Sequence, residues 1–185
     1  MRSIFILLFL LSGQLLFAQP KPTDLDKSPM DMSYWPANYP ISKMRGQVTD
    51  DPVARLLYSR PQKKGRVIFG GEVKYNEVWR LGANESTEVE FFKNVKIGGK
   101  KIPKGRYTLF CIPTESKWTI ILNRELNTWG SFTYNADKDI VRVDVPVQKN
   151  GEGVEALTMY FDGVNGGANL VVLWDELKVT VPINL

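Results

Sequence analysis

Short runs of β-branched and aromatic residues, separated by glycine, proline and asparagine, fill the chain from residue 54 to its end. Such runs favour strands over helices, because branched side chains lose little rotamer freedom on a pleated surface. They recur at short, nearly regular intervals, and no stretch keeps the 3.6-residue period of a helix. The sequence therefore predicts an all-β fold: an antiparallel β-sandwich of jelly-roll or Ig-like type, with about ten short strands and little helix.

The strands are predicted from the runs that lie between turn signals. They cover residues 54–59, 66–69, 87–92, 95–97, 105–112, 118–123, 140–145, 154–161, 170–174 and 177–181. Short helical turns fit only at 72–79 and 124–128. Alternation along the strands predicts the buried face. That face comprises Tyr107, Leu109, Cys111, Val141, Val143, Val145, Leu157, Met159 and Phe161.

The first 18 residues have the layout of a secretory signal peptide. Arg2 supplies the positive start, residues 4–18 are mostly apolar, and Ala18 marks the expected cleavage site. An uncleaved membrane anchor is the alternative, but this stretch is shorter than the roughly 20 residues that span a bilayer. We therefore expect an exported protein, periplasmic or secreted, that begins at Gln19 and has no stable membrane span after cleavage.

Residues 19–53 are rich in proline and have no sustained period. They are predicted to form an extended N-terminal arm in front of a β-sandwich domain at 54–185. Tyr34, Trp35 and Tyr39 are expected to hold this arm against the domain, because three exposed aromatic rings would make a costly surface.

The chain contains no histidine and one cysteine. These two facts exclude a Ser-His-Asp triad, a Cys-His pair, His-ligated zinc and an intrachain disulfide. Cys111 lies in an apolar run and is predicted to be a buried small hydrophobe. The formal net charge of +4 is spread along the chain, so no nucleic-acid partner is expected.

No cofactor and no metal site are predicted. Asn135, Asp137 and Asp139 alternate like the ligands of a Ca²⁺ loop, but Ile140 stands where such a loop needs glycine. This segment is therefore interpreted as a connection between strands.

One polar block departs from the alternation. Arginine offers a rigid fork that suits carboxylate or phosphate, and asparagine and glutamate add further hydrogen-bonding groups. The block predicts either an internal arginine–glutamate network or a pocket for a small anionic or sugar-like ligand. Its candidate site residues are Tyr58, Arg60, Arg66, Trp79, Arg80, Asn84, Glu85 and Glu88.

These side chains are expected to meet. An arginine near an apolar core needs a partner, since an unpaired buried charge costs several kcal/mol. We therefore expect Arg60, Arg80, Asn84 and Glu85 to converge at one edge of the sandwich. Glu85 and Glu88 are the carboxylates nearest in sequence to pair with the arginines.

Four blocks of the sequence form recognisable motifs. They are Tyr-Ser-Arg-Pro-x-x-Lys-Gly-Arg from Tyr58, Val-Trp-Arg-x-Gly-Ala-Asn-Glu-x-Thr from Val78, Pro-x-Gly-x-Tyr-x-Leu-Phe from Pro103, and Trp-Gly at Trp129. From about Ala54 onward the chain resembles the domain-of-unknown-function family 2911, whose members are exported proteins of Gram-negative bacteria. The resemblance implies a β-rich, secreted or periplasmic domain, and it implies no activity.

Two functions remain open. The first is a non-catalytic envelope or secreted module, binding or structural, with a polar Arg/Asn/Glu pocket. The alternative is a carboxylate-dependent hydrolase of a glycan or cell-wall fragment, with Glu85 and Glu88 as its acidic pair. Carboxyl groups about 5–10 Å apart across an open cleft would favour the hydrolase, whereas both glutamates held by arginine would favour the module.

Overall fold

A computed structural model describes residues 23–185. The predicted signal peptide at residues 1–18 lies outside the described residues, so its cleavage stays a prediction.

The described chain forms two antiparallel sheets, which confirms the predicted antiparallel β-sandwich. The larger sheet has the strand order β1-β2-β3-β6-β7-β8, and the smaller has the order β5-β4-β10-β9. In chain order the elements are β1 (Met30–Trp35), helix α1 (Tyr39–Met44), β2 (Ala54–Ser59), β3 (Glu88–Phe91), β4 (Val95–Ile97), β5 (Lys100–Ile102), β6 (Gly105–Pro113), β7 (Lys117–Asn123), a 3-10 helix (Ala136–Lys138), β8 (Asp139–Pro146), β9 (Gln148–Val164) and β10 (Gly167–Asn184).

The hydrophobic core fills the space between the two sheets. Val89 and Leu109 of the larger sheet line the same interior space as Leu170 and Val181 of the smaller one. Period-two alternation puts these side chains on the inner faces, and closing the sandwich removes them from water.

The predicted buried face is largely found in this core. Tyr107, Leu109, Cys111, Val145, Leu157, Met159 and Phe161 are buried. Val141 and Val143 are only half-buried and pack against the core. Both lie on β8, an edge strand of the larger sheet, where a neighbour on one side only gives less cover.

The N-terminal segment, predicted as an extended arm held against the domain by aromatic side chains, is part of the larger sheet. Strand β1 pairs antiparallel with β2, from Met30 opposite Ser59 to Trp35 opposite Ala54, and so forms an edge of the larger sheet. Helix α1 follows directly. Trp35 and Tyr39 are buried, so aromatic side chains do fix this segment to the sandwich.

Three predicted local elements were wrong. The strand predicted at 66–69 is a series of turns, because the carbonyls of Val67 and Ile68 accept hydrogen bonds from Glu72 and Val73 instead of from a neighbouring strand. The segments 72–79 and 124–128 contain no helix. Within residues 23–185, no helix is both long enough and apolar enough to cross a membrane.

Candidate functional site

Residues 79–87, called the site loop below, are hydrogen-bonded at both ends to one strand of the larger sheet, β6. At the start of the loop, the Trp79 N–H donates to the Cys111 carbonyl over 2.7 Å, and the Cys111 N–H donates back over 2.8 Å. At its end, the Leu109 N–H donates to the Thr87 carbonyl over 2.8 Å. Both ends of the site loop are therefore fixed to β6, two residues apart.

Side chains hold the interior of the site loop. The Thr87 hydroxyl donates to the Leu81 carbonyl over 2.7 Å, and the Trp79 indole N–H donates to the Gly82 carbonyl over 3.0 Å. The Ala83 N–H donates to the Ser59 hydroxyl oxygen over 2.6 Å. These bonds satisfy backbone groups that the turn would otherwise leave unpaired.

Two residues of the site loop have left-handed backbone conformations. Leu81 has a φ of 55° and Asn84 has a φ of 57°. Such a conformation costs a non-glycine residue on the order of 1–3 kcal/mol, and it persists only where the surroundings over-determine it. The bonds from Thr87, Trp79 and Ser59 provide that constraint.

The Arg80 side chain lines a cavity of about 190 Å³. Trp79 and Trp174 form a stacked aromatic wall, with ring centroids 5.9 Å apart and planes inclined by 21°. Ser28, which precedes β1, also lines this cavity. The cavity thus combines a cation, an aromatic wall and a hydroxyl group.

Arg80 has no protein partner for its inner nitrogen. Its Nε is buried and makes no hydrogen bond to any residue from 23 to 185. Burial alone lowers the pKa of Arg80 below its ordinary value, with no contribution from a neighbouring carboxylate. Arginine nevertheless keeps its proton in proteins, so the cavity holds a positive charge.

The other two arginines of the polar block are paired. Arg60 donates to the Asp31 carboxylate over 3.0 Å, and also to the Leu157 carbonyl and the Thr158 hydroxyl. These bonds join β1, β2 and β9, so Arg60 has a structural role.

Arg66 is also satisfied. Its guanidinium donates to the Glu72 carboxylate over 2.9 Å and to the Gln62 carbonyl over 2.6 Å. Arg66 and Glu72 both line the Arg80 cavity, where their charges offset each other.

The polar block therefore separates into two places that meet at Ser28. Arg66, Trp79 and Arg80 line the Arg80 cavity, whereas Asn84 and Glu85 line a groove beside it, and Ser28 lines both. Arg60 lines neither. The expected pairing of these arginines with Glu85 or Glu88 is not found among the described residues. Arg60 pairs with Asp31 instead. Glu88 pairs with Arg106, and no carboxylate within residues 23–185 pairs with Arg80.

The remaining candidates have distinct environments. Tyr58 is buried, its hydroxyl donates to Asp31 over 3.3 Å, and burial raises its pKa. Glu88 accepts hydrogen bonds from Arg106 over 2.6 Å and from the Asn127 N–H over 3.0 Å. One glutamate of the proposed acidic pair is thus already held by arginine.

Three residues near the site escaped sequence reasoning. Ser28 and Asp31 lie in the segment interpreted as an arm, and Trp174 lies some 90 residues beyond the polar block. Their positions follow from the pairing of β1 with β2 and of β9 with β10, and no local pattern reports such pairings. In residues 23–185, no group of three or more Cys, Asp or Glu side chains could hold a metal ion.

Comparison with known proteins gives one match. The family model described as "Protein of unknown function (DUF2911)" matches residues 40–183. The matched range begins in helix α1, ahead of residue 54, and covers both sheets apart from β1. No curated protein and no solved structure matches the chain.

Proposed function

The chain belongs to the DUF2911 family, and we propose that it is an exported, non-catalytic binding domain that holds a small anion on Arg80. The anionic group would be a carboxylate or a phosphate, which match the planar fork of a guanidinium. The observation that carries this proposal is the Arg80 guanidinium, which stands in a preformed cavity without a partner for its buried Nε.

Charge supports an anionic ligand. Two arginines and one glutamate line the cavity, and Arg66 and Glu72 neutralise each other, which leaves the charge of Arg80. Keeping an unpaired charge partly away from water costs free energy. A bound anion would offset that cost by supplying the missing acceptor.

The aromatic wall would strengthen the contact. Trp79 and Trp174 are both buried and present apolar surface to the cavity. A hydrogen bond to a charged group is stronger where the local dielectric is low. The same two indoles would report an entering ligand by a change in fluorescence.

The rigidity of the site loop would also favour binding. Its backbone is fixed at both ends on β6 and by Ser59 and Thr87 inside. A site that is already ordered loses little conformational entropy when it binds. Arg80 therefore needs no rearrangement of the loop to meet a ligand.

The binding test is a titration of the purified protein with phosphate, acetate and glucuronate, followed by calorimetry and tryptophan fluorescence. We expect saturable binding of at least one anion and its loss in Arg80→Met. Arg55→Met is the matched control, because Arg55 also has a buried, unpartnered Nε among the described residues but pairs with Glu90 over 2.6 Å. The proposal would be overturned if Arg80→Met bound the anion as strongly as the wild type, or if the wild type bound none of the three anions.

The melting temperatures of the variants give a second test. Arg80→Met removes a charge that burial disfavours and breaks no hydrogen bond of its Nε, so we expect it to leave the melting temperature unchanged or raise it. Arg60→Met breaks three hydrogen bonds and should lower it. A large loss of stability in Arg80→Met would instead point to a structural role.

We also propose export as a mature chain that begins at Gln19, supported by the signal-peptide layout of the first 18 residues. The intact mass of the protein recovered from the periplasm or the medium tests it. A full-length mass found in the membrane fraction would contradict it.

A further inference from the structure

Two aromatic side chains are exposed side by side beyond the site loop. Trp129 is 60% exposed and Phe132 is 81% exposed. Their rings stack with centroids 5.9 Å apart and planes only 14° from parallel. Two large rings displayed together on a surface lose the benefit of burial, which marks the place as an interaction site.

The backbone under these rings is firmly held. Trp129 and Glu85 form an isolated antiparallel bridge. On either side of it, the Ser86 N–H donates to the Thr128 carbonyl over 3.0 Å, and the Gly130 N–H donates to the Asn84 carbonyl over 2.8 Å. Trp129 is therefore an exposed ring on a fixed support, not part of a loose loop.

Gly130 permits the stacking. Its φ is 71°, and a Cβ added to it would lie 2.7 Å from the nearest atom of the Phe132 ring. A residue with a Cβ at this position would collide with the Phe132 ring where it stacks on one face of Trp129. Phe132 covers that face, and Trp129 lines the adjoining grooves.

Trp129 lines two adjoining grooves, of about 390 Å³ and about 380 Å³. Met30 and Glu85 also line both grooves. Each lies in the size range typical of small-molecule sites. Glu85 is exposed and Asn84 is half-exposed. Asn127, which uses its Oδ1 to accept from Arg106, lines the larger groove.

We propose that these two adjoining grooves, with Trp129 as their shared platform, form a saccharide-binding site separate from the Arg80 cavity. A sugar ring has one face rich in C–H groups, which packs on the open face of an indole, and a rim of hydroxyls. A carboxylate has two oxygens that accept hydrogen bonds, and an amide has an NH2 group that donates them. Glu85, Asn84 and Asn127 therefore suit pairs of neighbouring sugar hydroxyls.

Other flat or cationic ligands fit the grooves less well. Nucleobases also stack on aromatic rings, but Glu85 and Asp26 line the grooves and would repel the attached phosphates. A quaternary ammonium group favours several rings that face inward around it. Here the two rings are nearly parallel and stacked on each other, so they offer one open indole face.

The test uses purified protein and four neutral tetrasaccharides: chitotetraose, cellotetraose, xylotetraose and maltotetraose. Saturation-transfer NMR detects weak contacts, and calorimetry gives the affinity. We expect at least one tetrasaccharide to bind, with saturation strongest on its C–H protons, and Trp129→Ala to weaken it about tenfold or more. Glu85→Gln should weaken it less, because an amide keeps one acceptor.

Matched variants separate this proposal from the anion site. Arg80→Met should bind the saccharide as the wild type does, so either proposal can fail alone. Phe132 does not line the grooves, so Phe132→Ala should bind more tightly than Trp129→Ala. Equal melting temperatures would show that Trp129→Ala is folded. Binding of none of the four sugars, undiminished binding by Trp129→Ala, or binding of choline in their place would overturn the proposal.

Discussion

Gly82→Ala is expected to destabilise the protein through a single contact. A Cβ added at Gly82 would lie 2.9 Å from the Ser59 hydroxyl oxygen and 3.4 Å from that of Thr87. The φ of Gly82 lies outside the left-handed region, so the backbone itself accepts alanine. The effect should therefore arise from crowding, not from strain in the main chain.

The magnitude follows from two opposed terms. Alanine restricts the unfolded chain and would stabilise by about 0.4–1 kcal/mol if it fitted. Crowding of a well-packed site costs about 1–3 kcal/mol, and moving the Ser59 hydroxyl leaves the part-buried Ala83 N–H without its acceptor. We expect a net loss of about 1–2 kcal/mol, or about 2–8 °C in melting temperature for a domain of this size.

A double-mutant cycle with Ser59→Ala tests the cause. Ser59→Ala alone should cost about 1–3 kcal/mol, because the Ala83 N–H loses its acceptor. Adding Gly82→Ala to that variant should stabilise it by about 0.4–1 kcal/mol, because the hydroxyl that it would meet is gone and only the restriction of the unfolded chain remains. The coupling, about 1–3 kcal/mol, is measured by urea unfolding of the four proteins.

Gly151→Ala is the control, since a Cβ at Gly151 would meet no atom within 4 Å. It should stabilise by about 0.4–1 kcal/mol, because only the restriction of the unfolded chain remains. If Gly82→Ala and Ser59→Ala add within about 0.5 kcal/mol, the proposed contact does not carry the effect.

Three further predictions concern the sandwich. Leu109 is 3% exposed, so Leu109→Ala should lower the free energy of unfolding by about 2–5 kcal/mol in urea, and a loss under about 1 kcal/mol would contradict its burial. Burial raises the pKa of the Cys111 thiol, so a thiol reagent should label the unfolded chain only; rapid labelling of native protein would contradict this. Burial, and then a hydrogen bond to Asp139, raise the pKa of Tyr134 to about 12. The folded state thus favours the neutral phenol, and this stabilisation is present below about pH 10 and lost as the pH rises to about 12. The melting temperature of Tyr134→Phe should fall less steeply over that range, and parallel curves would contradict the assignment.

The strands were predictable where one face is buried and the other is polar or edge-exposed. Residues 54–59 and 95–97 were predicted with the bounds that the structure has, Ala54–Ser59 and Val95–Ile97. Strand β5 was missed because Lys100 and Lys101 give it little apolar signal, and charged side chains are common on edge strands. The two segments 170–174 and 177–181 are one strand, β10, interrupted by a register shift at Asp175.

The candidate site was predictable only in part. The polar block gave Arg80 and Glu85 as notable side chains, because they interrupt the apolar alternation. Their separation into a cavity and a groove depends on Ser28 and Trp129, which reach the site through long-range pairing. Spacing along the chain carries no information on such contacts, so the pairing of Arg60 with Asp31 was not foreseeable.

The attachment of the site loop to a single strand has a kinetic consequence. Because Trp79 and Thr87 both bond to β6, detaching the loop breaks backbone hydrogen bonds to an interior strand of the larger sheet. Amide protons inside the loop, such as that of Ala83, should then exchange with solvent as slowly as those of the sheet itself. A ligand would meet the same cavity at every encounter. Its association should therefore show a single phase with a rate proportional to ligand concentration, without a preceding isomerisation of the protein.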